Sequence, residues 1–253
     1  MEFASEYLSM ALLDFQTALG RLVRVQNGKG PLDGLHLDTR DSLYLEGLQE
    51  TAGFLFCRSI QRSWCVGRAA KSAHLTLSFL PDHERQTLLD EWIDSGAGTR
   101  SFYDSEAGSF LEFISHRLAN PSHQLSVCQL EQATLRAGEG MNSVIAADAA
   151  RLSDDDCMLR RGRYAGLVEF YGDPHLVLES LQKHEPLPPL SSEITILLFG
   201  PGVEQLCYVP SAGQVALWHQ LETAQSVRTL LSQPHERNTL AKLQSYGIIE
   251  YAD

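Results

Sequence analysis

The segment Val215–Tyr251, VALWHQLETAQSVRTLLSQPHERNTLAKLQSYGIIEY, sets the architecture of the second half of the chain. Apolar residues recur in it at helical spacing over three short segments, at about residues 212–223, 226–232 and 236–246. Gly247 follows the third segment and is expected to cap that helix, and the run IIEY then predicts a short strand. This part of the chain is therefore predicted to form three helices closed by a strand.

Three runs rich in β-branched and aromatic residues precede these helices: RYAGLVEFY (163–171), EITILLFG (193–200) and EQLCYVP (204–210). The sequence GPGV between the last two runs predicts a tight turn, so they should form a hairpin. The predicted order is three strands, three helices and a final strand. We expect a winged-helix-like unit with a three-stranded sheet.

The first half of the chain predicts a different architecture, since residues 1–138 indicate five or six helices and almost no strand. The longest helical pattern runs from about Asp41 to Ala73, and its apolar side carries Leu48, Ala52, Leu55, Phe56, Ile60, Trp64 and Cys65. An acidic join with the sequence SDDD at 153–156 follows the helical half. We therefore predict an α+β chain with a helical domain over 1–150 and a second domain over 151–253.

Composition and charge limit the classes of function. The chain has 253 residues, 43% of them hydrophobic, and a formal net charge of −12, as expected for a folded protein. No apolar run approaches the roughly 20 residues that span a bilayer, and the start MEFASEYL lacks the basic region of a secretory signal. We expect a cytoplasmic protein whose five cysteines are reduced.

Sequence motifs for catalysis or metal binding are weak. NGKGPLDG (27–34) and GAGTRS (96–101) lack the pattern of a phosphate-binding loop, and no G-x-S-x-G motif occurs. Glu112 and His116 lie four residues apart, whereas a di-iron bundle needs Glu-x-x-His twice with two further glutamates. We expect no catalytic residue and no metal site in this chain, although an enzyme that uses the helical bundle as its pocket stays open.

Two kinds of partner remain for the second domain. A winged-helix transcriptional regulator needs cations on its recognition helix, but ERNTLAKLQSY (236–246) carries only Glu236, Arg237 and Lys242. The alternative is an extended peptide that adds a strand to the open edge of the sheet. For that site we predict an edge strand and one helical wall, formed by Gln205, Leu206, Cys207, Tyr208, Val209, Leu240, Leu243 and Gln244.

The sequences VALWHQL (215–221) and LQSYGIIE (243–250), with the order of strands and helices, resemble a peptide recognition element of the PqqD type. FLEFISHRLANPSHQLSVCQLEQATLRA (110–137), which leads into the strand-rich half, resembles partner subunits of multinuclear non-haem iron oxidative enzymes of ribosomal peptide biosynthesis. The methanobactin-pathway and 3-thiaglutamate-pathway subunits are examples, and the second is the more similar.

This resemblance implies a heterodimer in which the partner subunit holds the iron and uses oxygen to modify a peptide cysteine. In the 3-thiaglutamate case the reaction excises the β-carbon of a C-terminal cysteine. The present chain would hold no cofactor and would bind the precursor peptide. Phe102 and Tyr103, two aromatic residues in a predicted loop, are our candidates for the interface with the partner subunit.

Overall fold

The structure is a computed structural model that describes residues 2–26, 32–96, 106–143, 149–204, 207–231 and 237–252. The chain divides into two compact units, Met1–Arg117 and Leu118–Asp253, called unit 1 and unit 2 below. Unit 1 is helical in its described residues, and unit 2 combines helices with two small antiparallel sheets. The chain is thus mixed helix and sheet, as the sequence predicts.

Unit 1 contains α1 (Glu2–Leu22), α2 (Thr39–Gln49), α3 (Ala52–Ser72), α4 (His74–Ser78), α5 (Asp82–Asp94) and α6 (Glu106–Ser115). Short polar side chains begin two of these helices. The Asp38 carboxylate accepts from the Asp41 amide at 2.7 Å, and the Thr51 hydroxyl accepts from the Phe54 amide at 3.3 Å. These bonds satisfy amides that a helix start otherwise leaves unpaired.

Helix α3 contributes one narrow side to the core of unit 1, and α5 and α6 bury Trp92, Ile93 and Phe110. Ala18, Leu22, Leu45 and Phe54 form a buried cluster where α1, α2 and α3 meet. Further along α3, the guanidinium of Arg62 is mostly buried and pairs with Asp90 at 3.0 Å and with Asp94, both on α5. The buried side of α3 therefore combines apolar packing with one ion-pair network.

Unit 2 begins with α7 (His123–Gly140), a 3₁₀ turn (Met141–Ser143) and α8 (Ala149–Leu152). The next elements are β1 (Met158–Arg161), β2 (Gly166–Phe170), α9 (Pro174–Lys183), β3 (Thr195–Phe199) and β4 (Cys207–Tyr208). The last are α10 (Ala212–Gln220), β5 (Gln225–Ser226), α11 (Val227–Leu231), α12 (Arg237–Ser245) and β6 (Ile249–Tyr251).

The strands form two sheets, in the orders β5-β1-β6 and β2-β3-β4, and all pairs are antiparallel. The predicted hairpin of the second and third apolar runs is confirmed as β3 and β4, with Leu198 opposite Tyr208. The prediction of a single three-stranded sheet was incomplete, because β1, β5 and β6 form a second sheet. Both sheets contribute to one core, with Leu159 from β1 and Leu198 from β3 fully buried in it.

Helix α7 belongs to unit 2 and packs against β2 and β3. It approaches β2 where Gly166 faces Ala133, because a Cβ at Gly166 would lie 3.1 Å from the Ala133 side chain. The Ser126 hydroxyl also donates to the Glu169 carbonyl of β2 at 2.6 Å. By its contacts α7 thus belongs to the compact unit that begins at Leu118, and the domain division near residue 150 stays a prediction.

None of the helices, within the ranges given above, is both long enough and apolar enough to cross a membrane.

Candidate functional site

Strand β4 lies at the edge of its sheet. Cys207 pairs with Phe199 and Tyr208 with Leu198 on the β3 side, and none of the described strands pairs with the other side of β4. Val209 follows directly and is 68% exposed. An edge of this kind offers backbone N–H and C=O groups to an added strand.

The turn between β3 and β4 rests on the end of α12. Gly247 has a φ of +65° and donates to the Gln244 carbonyl at 2.8 Å, while Ile248 donates to the Leu243 carbonyl at 2.9 Å. This is the Schellman arrangement that ends a helix at glycine, as the sequence predicts for Gly247. The Gly202 amide donates to the Tyr246 carbonyl at 3.0 Å, so a backbone hydrogen bond joins the turn to the end of α12.

The Tyr208 side chain connects β4 to α12. Its ring meets that of Tyr246 edge to face, with 5.7 Å between centroids, and both rings pack against the core of unit 2. Burial, with a smaller contribution from Tyr246, raises the pKa of Tyr208 to about 12. The Tyr208 hydroxyl oxygen is buried and has no hydrogen-bond partner among the described residues, which is a cost to stability.

The residues predicted on α12 are more deeply buried than those on β4. Leu240 and Leu243 are 0% and 1% exposed and belong to the core, because helical spacing turns both inward. Gln244 is 6% exposed, and its Oε1 atom lacks a partner within the described part of the chain. Direct contact of the leucines with a peptide stays a prediction, and the accessible part of the site is β4.

Four of the predicted site residues lie outside the part of the chain that the structure describes. They are Gln205 and Leu206 of the predicted peptide site, and Phe102 and Tyr103 of the predicted partner interface. Tyr246, in contrast, was not predicted and proves to contact Tyr208. Its number in the chain is 38 beyond that of Tyr208, so no local sequence pattern could indicate the pair.

Three arginines of unit 2 form ion pairs with carboxylates of the same unit. On the C-terminal helices, Arg228 pairs with Asp156 at 3.0 Å and Arg237 pairs with Asp155. In the sheet, Arg160 lies within β1 and pairs with Glu250 of β6 at 2.7 Å. These cations are therefore balanced by carboxylates, which leaves less positive charge for a phosphate backbone.

Potential metal ligands are dispersed. Glu112 and His116 are both exposed, and His116 lies beyond the end of α6. Within the described ranges, no group of three or more His, Cys, Asp or Glu side chains could hold a metal ion. His123 at the start of α7 is buried, and its Nε2 atom lies 2.9 Å from the Pro188 carbonyl, which is a structural contact.

Comparison with known proteins gives no match, since no protein-family model and no curated protein matches this chain.

Proposed function

We propose that this chain is an accessory subunit that binds a ribosomally made precursor peptide for an iron-dependent oxidase. In this proposal the peptide adds as a strand along β4, and a separate subunit holds the iron and modifies a peptide cysteine. Excision of the β-carbon at a C-terminal cysteine is the reaction we favour. This part of the proposal rests on the sequence resemblance to partner subunits of such enzymes.

The observation that carries the proposal is the unpaired side of β4. A peptide strand gains main-chain hydrogen bonds there without displacing any described strand of the protein. Specificity would then come from side chains beside the edge, among which Val209 is the most exposed of those predicted.

The alternative, a winged-helix regulator that binds DNA, is less well supported. The cations of α11 and α12 include Arg228 and Arg237, and both have carboxylate partners in the acidic segment 153–156. Lys242 lies over the Tyr246 ring at 5.6 Å. A gel shift at low salt tests this alternative, because binding through phosphates weakens steeply as salt increases.

Isothermal titration with the cognate precursor peptide tests the peptide site. Strand addition predicts a specific pattern in a peptide series that carries one backbone N-methyl group at successive positions. Alternate positions should lose at least tenfold in affinity, because only every second peptide N–H faces β4. The matched control is N-methylation of the intervening positions, which should change affinity little.

The outcome that contradicts the proposal is the absence of binding by both the chain and its complex with the iron subunit. Affinity that falls equally at every N-methylated position would also exclude strand addition. The assignment of iron to the partner is tested separately by metal analysis of the chain purified alone. Stoichiometric iron in that sample would favour a self-sufficient enzyme.

A further inference from the structure

Helix α3 carries a stripe of large apolar side chains that unit 1 does not bury. Phe56 is 66% exposed, Ile60 40% and Trp64 67%, and the spacing of four residues places them on one face of the helix. The buried residues of α3 lie on the opposite side and are Phe54, Arg62, Cys65 and Ala69. Phe56, Ile60 and Trp64 are called the α3 stripe below.

The α3 stripe is symmetric about Ile60. Phe56 and Trp64 lie four residues on either side of it, and Gly53 and Gly67 lie seven residues on either side. Open space surrounds the Cα of both glycines, since a Cβ there would meet nothing within 4 Å. When such a helix packs antiparallel on a copy of itself, Ile60 meets Ile60 at a twofold axis. Each Phe56 then lies level with Trp64 of the other copy.

Charges at the ends of α3 suit the same arrangement. Glu50 precedes Ile60 by ten residues and Lys71 follows it by eleven, and both are exposed. At a rise of about 1.5 Å per residue, an antiparallel copy brings Lys71 just past the first residue of the other α3, where Glu50, the C-cap of α2, precedes that helix. Two arginines of α3 have carboxylate partners, Arg62 with two aspartates of α5 and Arg68 with Glu106 at 3.1 Å, and the third, Arg58, donates to the Leu22 carbonyl at 2.9 Å.

The exposed rings of the α3 stripe supply about half of the area that a specific interface requires. An aromatic side chain buries roughly 150–250 Å², and about two thirds of Phe56 and of Trp64 is exposed. Two copies would thus bury on the order of 500 Å² through four rings alone. That is about half of the roughly 1,000 Å² that a specific interface requires, and Ile60 with the surrounding helix surface would add to it.

We propose that α3 is a self-association surface, through which two copies of this chain pack antiparallel about a twofold axis at Ile60. The interface is isologous, so every contact occurs twice except the one on the axis. This inference is independent of the proposed peptide site, because α3 belongs to unit 1 and β4 to unit 2.

Disulfide trapping at the axis tests the geometry in the full chain. Ile60→Cys in a Cys57→Ser background should give a reducible covalent dimer under mild oxidation, because helices packed at about 8–10 Å bring the two Cβ atoms of an axial residue within disulfide range. The matched control is Leu55→Cys in the same background. Leu55 is 48% exposed but lies off the stripe, so the Leu55→Cys variant should form no covalent dimer.

Light scattering and tryptophan emission test the unmodified chain. The mass should rise with concentration from 28.1 kDa towards twice that value, and emission should shift to the blue as Trp64 becomes buried. Trp92 and Trp218 are already buried, so the shift reports Trp64. Trp64→Glu should raise the dissociation constant at least tenfold. Lys71→Glu should raise it by a smaller factor, and Glu50→Lys in the same chain should restore it.

A chain that stays monomeric up to its solubility limit would overturn the proposal, as would equal trapping at residues 55 and 60. A third result also overturns it: Trp64→Glu leaves the mass unchanged but prevents co-purification with an unlike subunit. In that case the α3 stripe would bind the unlike partner and not a second copy.

Discussion

The two units of the molecule differ in what they leave exposed. The large apolar side chains exposed in the described part of unit 1 include three aromatic rings and are Leu12, Leu13, Leu43, Tyr44, Leu55, Phe56, Ile60 and Trp64. Those of unit 2 are all aliphatic and are Met141, Met158, Leu176, Leu190, Ile194 and Val209. Unit 2 instead exposes the backbone of an edge strand.

This difference shows that one chain can present two chemically distinct kinds of surface. Side chains on α3 can lose apolar area to a neighbour, which gives attraction with little directional demand. The backbone of β4 offers hydrogen bonds, which fix the direction and register of what binds. We therefore expect α3 to govern assembly and β4 to govern selection of a ligand.

The largest expected difference between the two units is in the stability lost when a phenylalanine of each is replaced by alanine. Phe199→Ala in β3, where the ring is 1% exposed, should lower the free energy of unfolding by about 3–5 kcal/mol. Phe56→Ala in α3 should change it by less than about 0.5 kcal/mol in dilute, monomeric protein. Urea unfolding followed by circular dichroism gives both values, and hydrogen exchange assigns the loss to a unit. Similar losses would mean that Phe56 belongs to a core.

Replacing one glycine of each unit by alanine should change stability by a smaller amount, and the change should have opposite signs in the two units. Gly202→Ala should destabilise by about 1–3 kcal/mol, because its Cβ would clash with the Ser245 carbonyl at the end of α12. Gly67→Ala in α3 meets open space and should stabilise the helix by about 0.5–1 kcal/mol, since alanine is the better helix former. Thermal unfolding of dilute samples compares them. A stable Gly202→Ala variant would show that the turn is not held against α12.

The smallest test concerns the Tyr208 hydroxyl and pH. Burial raises the pKa of Tyr208 to about 12 in the folded protein, above its value of about 10 in an unfolded chain. The folded state therefore keeps the hydroxyl proton up to a higher pH than the unfolded state does. The stability that this raised pKa contributes to the folded state is complete below about pH 10 and is lost as the pH rises towards about 12.

Tyr208→Phe removes this contribution and is the matched control for it. The stability of the wild type should fall more steeply than that of the variant between about pH 10 and 12. Near pH 8 the variant should be as stable as the wild type, because it loses a buried hydroxyl without a partner. Urea midpoints across this range provide the measurement, and parallel curves would show that Tyr208 titrates as an exposed phenol.

Local patterns predicted the last three helices of unit 2 within a few residues, but not α9 between β2 and β3. The segments expected at 212–223, 226–232 and 236–246 correspond to α10, α11 and α12. This succeeds because helical spacing and a terminal glycine are properties of neighbouring residues. The edge strand was found for the same reason, since the hairpin turn GPGV lies between its two strands.

Long-range partners explain what the sequence did not predict. β1 has the sequence MLRR, which lacks a strand pattern, and it is stabilised by β5 and β6, more than 60 residues later in the chain. α7 buries Ser126 and Glu131 beside apolar residues, so its pattern does not reveal the sheet that it contacts. Conversely, α3 has a clear apolar stripe, but spacing cannot tell whether the neighbour belongs to the same chain.

Two native cysteines lie at the surfaces contrasted above. Cys57 is exposed on α3 next to Phe56, and Cys207 lies half-buried in β4, where burial raises the pKa of its thiol. The first thiol should react quickly with an alkylating reagent and the second slowly, because the thiolate is the reactive form. Mass spectrometry of a briefly alkylated sample therefore reports separately on whether each surface is covered, and no residue has to be replaced.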